Sequence, residues 1–278
     1  MPTESLWLRW DVDPGVLLFL AALTAAYFWG IRRRSANETV TRGQIALFCS
    51  VIALLLLALV SPLNALGNDY LFSAHILQAF LLTTVCPPLL LLSLPDWLLS
   101  PLFRAGPLRR FARGYLFLLL ATLLFNANFL LWLVPALYDS AVRHAPLHDM
   151  QSLLFLLTGV LNWWPLITPA RNAPRWPHPL QLLYLFLDGI PLGLVSVTLF
   201  FVTYMPYTVY VNAPRLWGMS TGADLQLGSI ILYVPGLLLD LVVLSMVFFK
   251  WLAKQEREAT LREAALDEEA QREAPRTA

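Results

Sequence analysis

Apolar stretches of about twenty residues alternate with short polar loops along nearly the whole chain, each long enough to cross roughly 30 Å of hydrocarbon as a helix. They fall near 15–31, 45–66, 71–94, 115–138, 148–168, 180–204 and 227–252. The stretches are continuous rather than alternating residue by residue, so they predict helices and not barrel strands. The expected architecture is an all-α integral membrane protein: a seven-transmembrane-helix bundle over residues 1–252 and a polar cytoplasmic helical tail over 253–278. Late in the third span Pro87 and Pro88 remove two backbone donors, and Pro95 and Pro101 follow, which predicts that this helix breaks before the cytoplasmic surface, with Asp96 to Phe103 lying at the interface. In the sixth, Asp188-Gly-Ile-Pro191 predicts a kink whose freed carbonyl the aspartate absorbs. The tail carries Glu258 with Arg262 and Glu268 with Arg272, pairs at i,i+4 that support a solvated helix.

Charge gives the bundle an orientation. Of the 19 Lys and Arg residues, only Arg9, Arg143 and Arg215 fall on one set of loops. The opposite set holds Arg32, Arg33, Arg34 and Arg42, then Arg104, Arg109, Arg110 and Arg113, then Arg171 and Arg175, then the tail from Lys250 and Lys254 onward. The positive-inside rule therefore predicts an outer N-terminus and a cytoplasmic C-terminus. With 58% hydrophobic and 13% charged residues, the composition excludes a soluble domain, and ten Trp suit anchoring at membrane interfaces. The first span lacks a basic flank and a small-residue cleavage site and reads as retained. Cys49 and Cys86 both fall within spans, so no structural disulfide is expected.

Sorted by side and depth, the polar residues form two groups. Near the outer face lie His75, His144, His148, Met150, Met205, Met219, Asp224 and Gln226. Imidazole and thioether are ligands suited to copper, thioether favouring the reduced ion. The deeper group is Asn162, Asp188 and Asp240, which a rise of about 1.5 Å per residue puts at comparable depth in the inner half. Acids there should face the bundle interior, either as interhelical hydrogen-bonding groups or as a proton or ion path.

Four segments together resemble the CtaG-type family of cytochrome c oxidase assembly factors, seven-helix proteins of bacterial membranes. They are Ser73-Ala-His-Ile-Leu-Gln78 leading into Pro87-Pro88; Pro135-Ala-Leu-Tyr-Asp139 followed by Leu147-His148; Trp163-Trp164-Pro165; and Asp224-Leu-Gln-Leu-Gly228 running on to Val234-Pro-Gly236. The resemblance implies a role in maturing a heme–copper oxidase at the stage of copper insertion. Two positions depart from the family pattern. Ala79 stands where many members place a histidine four residues after His75, and Gln151-Ser152 stands where a Glu-His pair is expected after His148. Either the site is rebuilt around His75, His148, Met150 and Asp224, or the chain has lost metal binding and acts by protein contacts alone.

No catalytic triad, phosphate loop or metalloprotease pattern stands out, so the chain reads as a non-enzymatic accessory factor. The expected cargo is copper, with Gln78, Gln226 and His144 holding the ligands in orientation. Expected partners are oxidase subunits or copper chaperones on the outer side of the bacterial inner membrane, and the bilayer itself. Two other classes remain open: a transporter using Asp188 and Asp240, and a redox carrier with one heme between His75 and His148. A retinal protein is excluded, since the only lysines are Lys250 and Lys254, past the hydrocarbon.

Overall fold

The computed structural model describes residues 9–33, 38–103, 106–168, 170 and 172–273. Helix starts follow local chemistry. Asp13 accepts from the backbone N–H groups of Gly15 (2.6 Å) and Val16 (3.2 Å), and Pro14 fills the first turn, opening α1 (Pro14–Arg32). Thr41 and Gln44 form a reciprocal capping box at the start of α2 (Arg42–Leu59). The second span does not run straight to its end. Ser61 accepts from Leu63 N–H and, with Pro62 at the first position, restarts the chain as α3 (Pro62–Asp69).

The third span is α4 (Phe72–Phe80), a π-helical turn (Leu81–Val85) and α5 (Cys86–Ser93). The chain stays helical through Pro87-Pro88 and breaks at Leu94, just before Pro95. The prolines fall in the first turn of α5, where missing N–H groups are tolerated, and the wider π turn before them absorbs the change in register. The Cys86 N–H accordingly bonds to the Leu81 carbonyl. Ser100–Phe103 is a short 3-10 turn, followed by α6 (Pro107–Arg113) and α7 (Tyr115–Trp132). The fourth span also ends early, because Val134-Pro135 starts a separate helix, α8 (Pro135–Arg143). Then come α9 (Ala145–Trp163), α10 (His178–Phe201), α11 (Thr208–Val211) and α12 (Thr221–Glu273). Helix α10 is continuous through Pro191, and α12 carries the last span and the polar tail without interruption, with Lys254 and Glu258 paired at 3.7 Å.

Among the described residues there is no strand, and six helical segments are long and apolar enough to cross a membrane: Pro14–Arg32, Arg42–Asp69, Phe72–Ser93, Tyr115–Trp132, His178–Phe201 and one within α12. The difference from seven is α9. It has 19 residues, but His148, Asp149, Gln151, Ser152 and Asn162 interrupt its apolar run. Those side chains are carried inward rather than toward lipid: His148, Gln151, Ser152 and Asn162 are all buried.

The column α4–π turn–α5 is central, touching α2, α3, α9 and α12. α9 packs on α7, α7 on α10, α10 on α12, and α12 returns to α4, closing a ring, with α1 outside against α2. Two glycines permit the tightest approaches. A Cβ on Gly228 would overlap the Phe72 ring, and one on Gly159 would sit 2.8 Å from the Thr83 carbonyl oxygen and 2.8 Å from Pro87 Cγ. The outward faces carry Leu18, Leu119, Leu157, Leu194, Val242 and Phe249, all exposed, as a lipid-facing surface requires.

Candidate functional site

His75 lies in the first turns of α4, and three devices fix it there. Leu71, the residue before α4, has no side-chain acceptor, so Asp224 reaches across from α12 to cap the helix. Its two oxygens accept from Phe72 N–H (2.8 Å) and Ser73 N–H (3.0 Å), and its side chain is wholly buried. Gly67 of α3 lies so close that a Cβ would be 3.0 Å from the His75 backbone. Finally, Tyr138 of α8 packs on the imidazole with ring centroids 4.9 Å apart. Tyr138 is held by Tyr210 (hydroxyls 3.0 Å apart), Tyr210 donates to the Gly67 carbonyl, and Tyr207 stacks on Phe72 at 4.9 Å while donating to the Leu133 carbonyl. Burial raises the phenols of Tyr207 and Tyr210 above their ordinary range, so both remain hydrogen-bond donors.

His148 faces His75 from α9 with ring centroids 5.6 Å apart. Both are buried, at 3% and 7% exposure. Three residues on from each stands a buried glutamine, Gln78 on α4 and Gln151 on α9. Gln78 donates to Asn64 Oδ1 (3.0 Å), and Asn64 donates to Asp11 Oδ2 (2.9 Å). Above His148 opens a cavity of about 500 Å³ whose walls include Arg9, Asp11, Asp69, Arg143 and Asp149. Arg9 pairs with Asp69 at 3.3 Å, and Arg143 donates to Thr208 (2.8 Å).

The other candidates near this end are not part of the pair. Met150 is 46% exposed and lines a separate apolar groove with Phe19 and Leu153. Met205 packs in the hydrophobic core, and Met219 packs against Leu66 and Leu216. Asp224 spends both oxygens on α4. Gln226 is exposed, and His144 is an exposed residue between α8 and α9 with Nδ1 2.8 Å from the Ser140 carbonyl. Asp139 accepts from Thr208 N–H (3.0 Å) and so anchors α11 rather than serving chemistry. Among the described residues no group of three His, Cys, Asp or Glu side chains is arranged to hold a metal ion. In the sequence Gln151 stands out only as a departure from the family pattern and Tyr138 only within a family-like segment, while nothing there marks Asn64, Tyr207 or Tyr210. A signal for the role of Gln151 lies in its i,i+3 spacing from His148.

The deeper group does come together. Asp188 of α10 accepts from Thr122 and Asn126 of α7 (2.9 Å for Asn126) and from Asn162 of α9 (2.7 Å), while Tyr184 donates to the Asn162 carbonyl (2.9 Å). The Asp188 side chain thus ties three helices and is engaged as an acceptor rather than occupied with a carbonyl freed by Pro191. Asp240 of α12 lines the same cavity, about 60 Å³, beside Tyr233. Asp188→Ala is therefore expected to lower stability by about 2 kcal/mol, three interhelical hydrogen bonds at somewhat less than 1 kcal/mol each. Asp240→Asn should be nearly silent. Thermal unfolding of the detergent-solubilised protein checks both, and equal losses would reject the assignment of the tie to Asp188. Between the two polar layers sits Phe155, seven residues and so roughly 10 Å from both His148 and Asn162. It is buried and stacked on Phe129 at 4.9 Å.

No curated protein and no solved structure matches the chain. A family model does, the cytochrome c oxidase caa3 assembly factor family, over residues 25–254 and so across every helix just described except the start of α1 and most of the tail. A multi-pass helical membrane protein matched over most of its length has a clear assignment: the chain belongs to the cytochrome c oxidase caa3 assembly factor family.

Proposed function

We propose that this oxidase assembly factor handles copper at the outer face of the bacterial inner membrane, with His75 and His148 as the metal ligands. The observation that carries the proposal is the approach of these two buried imidazoles, 5.6 Å apart, beneath a polar cavity. Imidazole nitrogen is a good copper ligand, and two opposed rings on separate helices give a site that can release its ion by a small helix movement. In this proposal α9 is a seventh crossing, its polar residues shielded by the surrounding ring, and the end bearing Arg9, Arg143 and Arg215 faces outward, with the α12 tail in the cytoplasm. The protein acts without catalysis, passing the ion to an oxidase subunit or receiving it from a copper chaperone on that side. The buried Phe155 layer between the histidines and Asp188 favours this over a transporter, because it interrupts any polar path across the bundle.

Titration of the purified protein with copper, reduced under anaerobic conditions and oxidised in air, against a competing chelator tests the proposal. The parent is expected to bind one ion per chain, and His75→Ala/His148→Ala is expected to lose at least about 100-fold in affinity while keeping its helical content. Equal binding by both proteins removes the histidines from the site. No binding by either makes this member an assembly factor that works by protein contacts alone.

A further inference from the structure

Gln78 and Gln151 occupy equivalent places, each three residues after a histidine and hence on the same helix face. Each is 2% exposed, and each leaves its side-chain carbonyl oxygen buried without a partner, as His75 leaves its Nδ1. A buried polar atom without a partner is unfavourable, so three within one helical turn of the two histidines mark a place built for something else.

The direction of the Gln78 amide is set from outside. Asp11 offers an acceptor, so Asn64 turns its NH₂ toward it and its oxygen toward Gln78. Gln78 in turn directs its NH₂ at Asn64 and its oxygen away. Reversing the Gln78 amide would set oxygen against oxygen. The unpartnered atom is therefore an acceptor held in place by a chain that begins at the cavity wall.

We propose that the histidine pair is one half of a four-ligand site completed by the carbonyl oxygens of Gln78 and Gln151, that its cargo is a divalent transition-metal ion, and that the ion is loaded through the acidic cavity above His148. Two imidazole nitrogens and two amide oxygens are borderline-to-hard donors, a set that suits oxidised copper or zinc better than reduced copper, which prefers sulfur. The cavity sets Asp11, Asp13, Asp69 and Asp149 against Arg9 and Arg143, an excess of carboxyl groups that raises the local concentration of cations. Asp11 serves twice, as wall of the cavity and as the origin of the chain that orients Gln78. The inference rests on the reading of His75 and His148 as metal ligands, and the experiment below lets the two fail separately.

Zinc and oxidised copper are titrated against the full-length protein in detergent, beside four variants, with the electron paramagnetic resonance spectrum of bound oxidised copper as a second readout. Gln78→Leu/Gln151→Leu is expected to weaken divalent binding about 10- to 100-fold and to change the copper spectrum. Gln78→Glu/Gln151→Glu, which replaces neutral by anionic oxygen donors, is expected to strengthen divalent binding by about tenfold or more. Asp69→Asn/Asp149→Asn is expected to slow association several-fold at low salt, the difference vanishing at high salt, with dissociation unchanged.

If both glutamine pairs bind like the parent while His75→Ala/His148→Ala loses the ion, the histidines are ligands and the glutamines are not, which overturns this inference and leaves the copper function standing. If His75→Ala/His148→Ala also binds like the parent, both fall. Should the leucine pair fail to fold, the glutamate pair decides, and an unchanged affinity there overturns the inference. An unchanged association rate in Asp69→Asn/Asp149→Asn removes the loading route.

Discussion

Asp224→Ala is expected to lower stability by about 3 kcal/mol and to disturb His75. Two bonds from backbone N–H groups to a buried side-chain acceptor are lost, and both donors at the start of α4 are left without water or partner. The first turn of α4 would loosen, and His75, one turn along, would lose its register against His148. Asp224→Asn keeps one amide oxygen and should cost about half as much. Thermal unfolding in detergent, run beside the copper titration, separates a capping role from ligation. A cap predicts that stability and copper affinity fall together in the alanine variant and are both largely retained in the asparagine variant. A variant with parental stability and no copper binding would make Asp224 a ligand instead.

The second large effect is expected at Gly159, where α9 crosses α5. A Cβ there would meet the Thr83 carbonyl oxygen and Pro87 Cγ at 2.8 Å and Thr83 Cα at 3.1 Å. Two of these atoms are backbone, so no side-chain rotation relieves the contact. The Thr83 carbonyl also lies four residues before Pro87 and five before Pro88, so neither an α-type nor a π-type bond can satisfy it. Gly159→Val is expected to cost about 3 kcal/mol or more through forced separation of α9 from α5, and to reduce the amount of protein recovered from membranes. Gly236→Ala is the control. A Cβ at Gly236 meets nothing within 4 Å, so the change should be neutral or stabilise by about 0.5 kcal/mol. Equal behaviour of the two variants would mean that the α9–α5 crossing is not the tight contact described.

Both predictions turn on residues whose importance a linear reading places differently. Asp224 stands in a stretch with Met219 and Gln226 and looks like a ligand beside other ligands. Its carboxyl group is in fact consumed by a helix 151 and 152 residues earlier in the chain. The same holds for Met150, which is adjacent to His148 in number but lies about 200° around the helix from it, on a face lining a different groove. The histidines themselves were legible because imidazole is rare in an apolar span, and a buried polar group there needs a reason. Asn162, Asp188 and Asp240 were legible for the same cause, and counting residues from the span ends was enough to predict a shared depth.

Sequence alone determined the helical class, most of the long apolar segments, the asymmetry of basic loops and the family resemblance. These rest on periodicity, length and charge, which are local or additive along the chain. It also carried the two departures, Ala79 and Ser152, that left the ligand set open. Only the tertiary structure decided which polar groups meet. It set His75 against His148, buried Gln78 and Gln151, gave Asp224 to the α4 N-terminus and Asp188 to Thr122, Asn126 and Asn162. It also placed a π turn immediately ahead of Pro87-Pro88. The physical reason is common to all of these. Each is a question of which acceptor satisfies which donor across helices far apart in sequence, and that is fixed by rotation and close approach of whole helices, set by Gly67, Gly159 and Gly228, rather than by any neighbour along the chain.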